Sequence, residues 1–162
     1  IIAEDLGYMT DTVKHLVAES GYPNMKVLEF AFDERDTGNA SDYLPHNYPN
    51  NCVVYTGTHD NETLISWLDN ITPSERRQVR EYLNDFHSSR TELAQKIICL
   101  AMQSVGNFCI IPMQDYLGLD NSARMNQPST LGKNWKWRLV PGQFSEKLQE
   151  YMKELALRYG RQ

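Results

Sequence analysis

The most informative segment of the chain is Val53-Val54-Tyr55-Thr56-Gly57-Thr58-His59-Asp60-Asn61. Its β-branched first part is typical of a buried strand, and a histidine–aspartate pair follows where that strand ends. Parallel α/β barrels have their chemistry at the carboxyl ends of their strands. An apolar run followed by carboxylates occurs again at Ile1-Ile2-Ala3-Glu4-Asp5. Two acidic strand ends in one chain suggest glycosidic-bond chemistry, which uses pairs of carboxylates.

Predicted strands and helices alternate along the rest of the chain. Short apolar runs predict buried parallel strands at residues 1–3, 27–32, 52–56 and 108–113. Helices are predicted over 11–20, from Leu64, after the capping box at Thr72, over 93–105 and after Ser145, while 114–142 is irregular. This alternation is typical of βα units and a parallel sheet. The spacing alone does not separate a doubly wound sheet from part of a barrel.

Composition excludes several classes of function. The chain has 162 residues, 41% of them hydrophobic, and a net charge of −5, which is typical of one ordinary globular domain. Because no basic patch and no membrane-length apolar run occurs, neither a nucleic-acid nor a membrane partner is expected. Glycine-rich phosphate loops are absent, and the histidines lack metal-site spacing, so no nucleotide, metal or other cofactor is expected. The three cysteines lack C-x-x-C spacing and predict buried, reduced thiols of a cytoplasmic protein.

The first residues raise the question of chain length. The sequence has no initiating methionine and opens directly on the apolar run Ile1-Ile2-Ala3. A terminus inside a buried strand would leave backbone groups without partners. We therefore expect residues 1–162 to be a piece of a longer protein.

The two acidic strand ends each allow two interpretations. Glu4 is either a general acid/base, with its pKa raised in a partly apolar cleft, or a solvated residue before the next helix. Asp60 and His59 either bind vicinal sugar hydroxyls, or Asp60 caps the helix that contains Leu64 while His59 is structural.

A third polar cluster follows the last predicted strand. It contains Gln114-Asp115, Ala123-Arg124-Met125-Asn126 and Asn134-Trp135-Lys136-Trp137-Arg138. Arginine, asparagine and tryptophan supply the hydrogen bonds and flat apolar faces that bind sugars. For Trp135 and Trp137 we favour packing, since large aromatic side chains are mostly buried.

Five motifs together resemble one enzyme family, the amylomaltases. These are the 4-α-glucanotransferases, or disproportionating enzymes, of the α-amylase clan. The resemblance covers essentially the whole chain, in order. Its motifs are Ala3-Glu4-Asp5-Leu6-Gly7, Gly21-Tyr22-Pro23-Asn24-Met25-Lys26-Val27-Leu28, Tyr43-Leu44-Pro45-His46-Asn47-Tyr48, Tyr55-Thr56-Gly57-Thr58-His59-Asp60-Asn61, and Ala123-Arg124-Met125-Asn126 through Asn134-Trp135-Lys136-Trp137-Arg138.

The resemblance implies a fold and an activity. The fold would be a (β/α)8 TIM barrel, of which this chain is the C-terminal half, strands five to eight. The activity would be transfer of α-1,4-glucan segments between maltooligosaccharides or starch-like glucans. No cofactor is implied.

The resemblance also implies roles for individual residues. Glu4 resembles the general acid/base, Asp60 the carboxylate that stabilises the transition state, and His59 a histidine that binds sugar hydroxyls. Further sugar-contacting positions align with Asp5, Phe30 and Asn126, and with Glu34, where the family often has aspartate.

Two departures from the family's pattern are visible. Pro128-Ser129-Thr130 stands where the family often has Pro-Gly-Thr. More important, the family's nucleophile, an aspartate at the end of the fourth strand, has no counterpart in this sequence. We therefore expect the chain alone to be inactive and prone to self-association, and an amylase-type hydrolase or a non-catalytic glucan-binding fragment stays an alternative.

Overall fold

The computed structural model describes residues 1–7, 9–34 and 40–161, and within them a three-stranded parallel sheet forms the centre of the fold. The strands are β1 (Asn24–Val27), β2 (Cys52–Tyr55) and β3 (Phe108–Ile110), and they lie side by side in chain order. Val27 pairs with Tyr55, which pairs in turn with Ile110, so the carboxyl ends of all three strands meet at one edge. The predicted parallel α/β arrangement is confirmed.

Six α-helices surround this sheet among the described residues. They are α1 (Asp11–Ser20), α2 (Leu64–Asn70), α3 (Pro73–Leu83), α4 (Arg90–Met102), α5 (Met113–Tyr116) and α6 (Glu146–Arg158). Shorter 3-10 helices lie at Leu28–Phe32, Ala40–Tyr43, Pro45–Asn47 and Asn121–Ala123. Each described helix is too short or too polar to pass through a bilayer.

Local side-chain bonds explain where the helices begin. Thr72 at the start of α3 and Ser89 at the start of α4 each form a capping box with the glutamate three residues later. Ser145 accepts a hydrogen bond from the Leu148 N–H at the start of α6. Helix α1 ends at Gly21, whose φ of 66° favours a residue without a Cβ.

The core lies between the sheet and the helices α2, α3 and α4. Val53 and Val54 of β2 are fully buried, as are Leu64 of α2 and Val79 of α3. Helix α6 closes the core with Leu155, which is also fully buried. The sheet's central strand is therefore covered on both faces, as expected for a parallel strand.

Two predicted strands have different boundaries in the structure. The predicted strand over 27–32 is wrong, because the strand ends at Val27 and a 3-10 helix follows. An unbroken apolar run does not distinguish a buried strand from a buried helix. The predicted strand over 108–113 ends at Ile110, and α5 begins at Met113.

The outer parts of the sheet are more exposed than predicted. Residues 1–3 form one isolated parallel bridge, from Ala3 to Asn24, rather than a strand. Phe108 and Ile110 of β3 are 59% and 45% exposed, since β3 has a neighbour strand on one side within the described residues. The prediction that the strand containing Phe108 and Ile110 is buried is therefore wrong for the described residues.

Candidate functional site

The carboxyl edge of the sheet brings together side chains from three distant segments. Glu4 comes from the segment beside β1, Phe30 from the 3-10 helix after β1, and His59 and Asp60 from the loop after β2. All four line one cleft of about 400 Å³. An adjoining cleft of about 470 Å³ is lined by Glu4 and His59 as well. The structure thus brings Glu4, Phe30, His59 and Asp60, four of the predicted site residues, to one place.

The turn that presents His59 and Asp60 is held by its own side chains. The Asn61 Oδ1 accepts hydrogen bonds from the Thr58 N–H at 2.9 Å and from the Thr58 hydroxyl at 2.7 Å. The Asp60 N–H donates to the Thr58 Oγ1 at 3.2 Å. These bonds fix the backbone between Thr58 and Asn61. The alternative in which Asp60 caps α2 is wrong, because the helix N-cap is Thr63.

Residues from the irregular segment after β3 hold Asp60 in place. The Asn126 Nδ2 donates to the Asp60 Oδ1 at 2.5 Å, and the guanidinium of Arg124 donates to the Asp60 carbonyl oxygen at 2.5 Å. The His59 Nε2 lies 3.3 Å from the Asp60 Oδ1. The Asp60 side chain keeps 44% of its surface exposed, so one carboxylate is oriented and still open to the cleft. Charge-assisted bonds of this kind bind hydroxyl groups tightly.

Trp135 forms an aromatic wall beside His59. The two rings lie 5.0 Å apart at 37°, and Trp135 is 54% exposed in the larger cleft. Its backbone has a φ of 63°, and its N–H donates to the Met125 carbonyl oxygen at 2.7 Å. The prediction that Trp135 is a packing residue is therefore wrong, whereas Trp137 is half-buried as expected. Composition could not show which of the two tryptophans turns toward the loop after β2.

Glu4 is an exposed carboxylate beside a half-buried tyrosine. Burial raises the pKa of Tyr55, and the negative charge of Glu4 raises it further. Glu4 is exposed and lines the cleft. A carboxyl group in that position has the access to a bound substrate that general acid/base catalysis requires.

The other three predicted site residues, Asp5, Glu34 and Asn126, are not among the residues that line the cleft of Glu4 and Asp60. Asp5 accepts from the Met25 N–H at 2.8 Å and from the Asn24 Nδ2 at 3.0 Å, and it lines a separate cleft. Glu34 is exposed and accepts from the Gln78 Nε2 at 3.0 Å. The sugar contacts of Asp5 and Glu34 stay predictions. Asn126 reaches the site indirectly, through its hydrogen bond to Asp60.

Buried carboxyl groups lie behind the site loop. Glu29 is 4% exposed, and burial, followed by the charges of Asp115 and Glu62, raises its pKa well above the ordinary value. Burial likewise raises the pKa of Asp115, although hydrogen bonds from the Leu64 N–H and from Thr56 oppose the rise. Sequence reasoning missed Glu29, and its one visible signal is a charge inside the apolar run of residues 27–32.

The acidic groups that the structure describes do not form a metal site. Among the described residues, no three histidine, cysteine, aspartate or glutamate side chains group closely enough to hold a metal ion.

Comparison with known proteins identifies relatives along almost the whole chain. Residues 1–143 match the family model described as 4-alpha-glucanotransferase. A 4-alpha-glucanotransferase from Thermus thermophilus is 43% identical over 150 residues, which cover 90% of this chain and 29% of the relative. The enzyme of the same name from Clostridium butyricum is 42% identical, over 99% of this chain and 32% of the relative. The chain thus spans about three-tenths of the length of these relatives.

A solved structure agrees with the same relationship. The amylomaltase from Streptococcus agalactiae, determined in complex with acarbose, superposes with a TM-score of 0.88 at 36% identity. The match covers 99% of this chain and 32% of that protein. The similarity therefore includes the loops at the carboxyl edge of the sheet as well as the strands.

Proposed function

This chain belongs to the 4-alpha-glucanotransferase family, and from that premise we propose that the whole protein transfers α-1,4-glucan segments between maltooligosaccharides. The observation that carries the proposal is the shared cleft of Glu4, His59 and Asp60 at the carboxyl edge of a parallel sheet. Enzymes built on parallel barrels use this edge for catalysis. We also propose that the chain forms strands five to eight of a (β/α)8 barrel, with the segment that bridges to β1 at Ala3 in the place of strand five and β1, β2 and β3 as strands six to eight. The parallel β1-β2-β3 order and the parallel bridge from Ala3 to Asn24 support this placement.

The proposed reaction is a retaining double displacement. A carboxylate nucleophile from outside this sequence attacks the anomeric carbon and forms a covalent glycosyl-enzyme, while Glu4 protonates the departing glycosidic oxygen. Glu4 then takes the proton from the 4-hydroxyl of an acceptor glucan, whose oxygen displaces the enzyme carboxylate. Such pairs of carboxyl groups lie about 5–5.5 Å apart in retaining enzymes.

Asp60 and His59 stabilise the sugar at the cleavage point in this proposal. The positive charge that develops on the sugar ring in the transition state is opposed by the Asp60 carboxylate. Because Asn126 and Arg124 already hold Asp60, little reorganisation is needed when the charge appears.

We also propose a cytoplasmic location for the protein. The three cysteines are all free thiols, which is compatible with that location.

The products formed from maltotriose test the proposed function. Incubation with the whole protein should yield glucose together with maltooligosaccharides longer than maltotriose, because the glycosyl-enzyme is passed to an acceptor sugar. Formation of glucose and maltose without longer products would identify a hydrolase instead. Saturable binding of maltoheptaose without any product would identify a non-catalytic glucan-binding protein.

A further inference from the structure

A buried carboxyl group lies directly beneath the loop that carries His59 and Asp60. Glu29 belongs to the 3-10 helix after β1, and its N–H donates to the Thr56 carbonyl oxygen at 3.2 Å. Its Oε1 has no hydrogen-bond partner among the described residues. A Cβ atom on Gly57 would lie 2.8 Å from that oxygen, so the glycine makes the close approach of the carboxyl group possible.

Asn61 meets Glu29 at the same place. A Cβ atom on Gly57 would lie 3.1 Å from the Asn61 Cβ and 3.1 Å from the Glu29 carboxyl carbon, so both side chains border the same glycine. Both hydrogen bonds from Thr58 end on the Asn61 Oδ1, so the amide NH₂ is the group left to face Glu29. Interaction with the Asn61 side chain lowers the pKa of Glu29, which is the effect expected of an amide N–H donor close to its carboxyl group.

The charges around Glu29 favour its neutral form. Desolvation is the largest effect on its pKa, and the carboxylates of Asp115 and Glu62 raise that pKa further. Arg124 is the opposing cation, but its guanidinium donates to the carbonyl oxygens of Asp60 and Asn126. Burial without an ion-pair partner therefore favours the neutral form of Glu29 over the charged form.

We propose that Glu29 is a positioning residue: its buried carboxyl group holds the Asn61 side chain, and through Asn61 and Thr58 it fixes the turn that presents His59 and Asp60. This role deepens the proposed transfer activity and rests on it. Glu29 does not touch the cleft, so its effect reaches the reacting sugar through the geometry of the turn.

Two substitutions at position 29 separate positioning from packing. In the whole protein, Glu29→Met keeps the volume but removes the polar contact with Asn61, and it should lower kcat for maltotriose at least about tenfold with KM little changed. Glu29→Gln keeps a neutral polar group, and it should restore kcat to within about twofold of the unmodified protein. A Glu29→Met protein with unchanged kcat would overturn the proposal.

A second variant, at Gly57, disturbs the contact between Glu29 and the site loop without changing Glu29 itself. Gly57→Ala places a methyl group against the Glu29 Oε1 and should lower kcat in the same way, while thermal unfolding reports whether each variant is folded. Unchanged kcat in a folded Gly57→Ala protein would also contradict the proposal.

The protonation state is measured independently of activity. At neutral pH the infrared difference between the unmodified and Glu29→Gln proteins should contain the carbonyl stretch of a protonated carboxyl group, and its absence would overturn the neutral form. If the whole protein shows no transfer, the proposed function fails separately. Positioning is then read from the Thr58 and Asp60 amide resonances, which should shift in Glu29→Met and stay in place in Glu29→Gln.

Discussion

At the scale of single residues, Asp60 illustrates how one carboxylate is oriented without being buried. Its Oδ1 accepts from Asn126 and its carbonyl oxygen accepts from Arg124, while nearly half of the side chain stays open to the cleft. An ordinary surface aspartate would be free to rotate. The two partners come from a segment more than 60 residues away along the chain, as the separation of 66 between Asp60 and Asn126 shows.

The first prediction concerns the division of labour between Glu4 and Asp60. In the whole protein, Glu4→Gln should reduce transfer at least about 100-fold and leave maltoheptaose binding nearly unchanged, because only the proton transfer is lost. Asp60→Asn should lower kcat more than it weakens binding, since its interaction is strongest in the transition state. Steady-state kinetics and calorimetry measure the two effects, and near-normal turnover of Glu4→Gln would remove Glu4 from its role.

A second prediction at this scale concerns Trp135. Trp135→Leu should raise KM for maltooligosaccharides about 2- to 10-fold, because the cleft loses the aromatic face that packs against His59. Trp135→Phe should recover most of the loss. The matched control is Trp137→Leu, which replaces a half-buried tryptophan outside both clefts and should leave KM unchanged. Equal effects of the two leucine substitutions would argue against a binding role for Trp135.

At the scale of elements, the connection between α3 and α4 depends on one buried carboxylate. The Asp85 Oδ2 lies 2.5 Å from the Lys96 Nζ, and its Oδ1 accepts from the N–H groups of His87 and Ser88. The ion pair with Lys96, followed by the bonds from Ser88, lowers the pKa of Asp85 well below its ordinary value. The folded protein therefore binds a proton here less readily than the unfolded chain.

This shift predicts how stability changes with pH. The contribution of Asp85 is fully present above the unfolded pKa of about 4, and it is lost as the pH falls toward the lower folded value. Urea unfolding should show a stability gap between the unmodified protein and Asp85→Asn that narrows below about pH 4. Asp69→Asn, which breaks the exposed pair with Arg90, is the control and should cost less stability than Asp85→Asn above about pH 4. A gap for Asp85→Asn that does not change with pH would contradict this assignment.

At the scale of the whole molecule, the sheet presents an apolar edge. Phe108 and Ile110 of β3 are exposed, and Ile1 and Ile2 beside the other edge are 89% and 44% exposed. Unpaired strand edges with exposed apolar side chains promote association with other chains. The sheet therefore has a buried central strand, β2, and exposed apolar side chains at both margins.

The last prediction concerns the 162-residue chain by itself. It should self-associate in size-exclusion chromatography with light scattering, because pairing covers the exposed edge of β3. The double substitution Phe108→Lys and Ile110→Lys should weaken that association, since charged residues on an edge strand oppose pairing. The chain should not disproportionate maltotriose, since the proposed reaction takes its nucleophile from outside this sequence. A compact monomer, or measurable transfer by the chain, would contradict these expectations.

Local features of the fold followed from sequence because they depend on neighbouring residues. The capping box at Thr72 and the stop at Gly21 each involve groups within a few residues, so the pattern contains all of the interacting partners. The change from strand to 3-10 helix after Val27 escaped prediction, because the buried run of residues 28–32 has no periodicity that separates the two.

The residue pattern was enough to predict the parallel α/β class, and the family resemblance was enough to predict Glu4, Phe30, His59 and Asp60 as site residues. Their place in one cleft came from the structure. Tertiary structure alone decided that Asn126 and Arg124 hold Asp60, that Trp135 faces His59, and that Glu29 lies buried against Gly57. These contacts join segments distant along the chain. They arise when the parallel strands bring their carboxyl ends to one edge, and no local pattern records which distant side chains meet there.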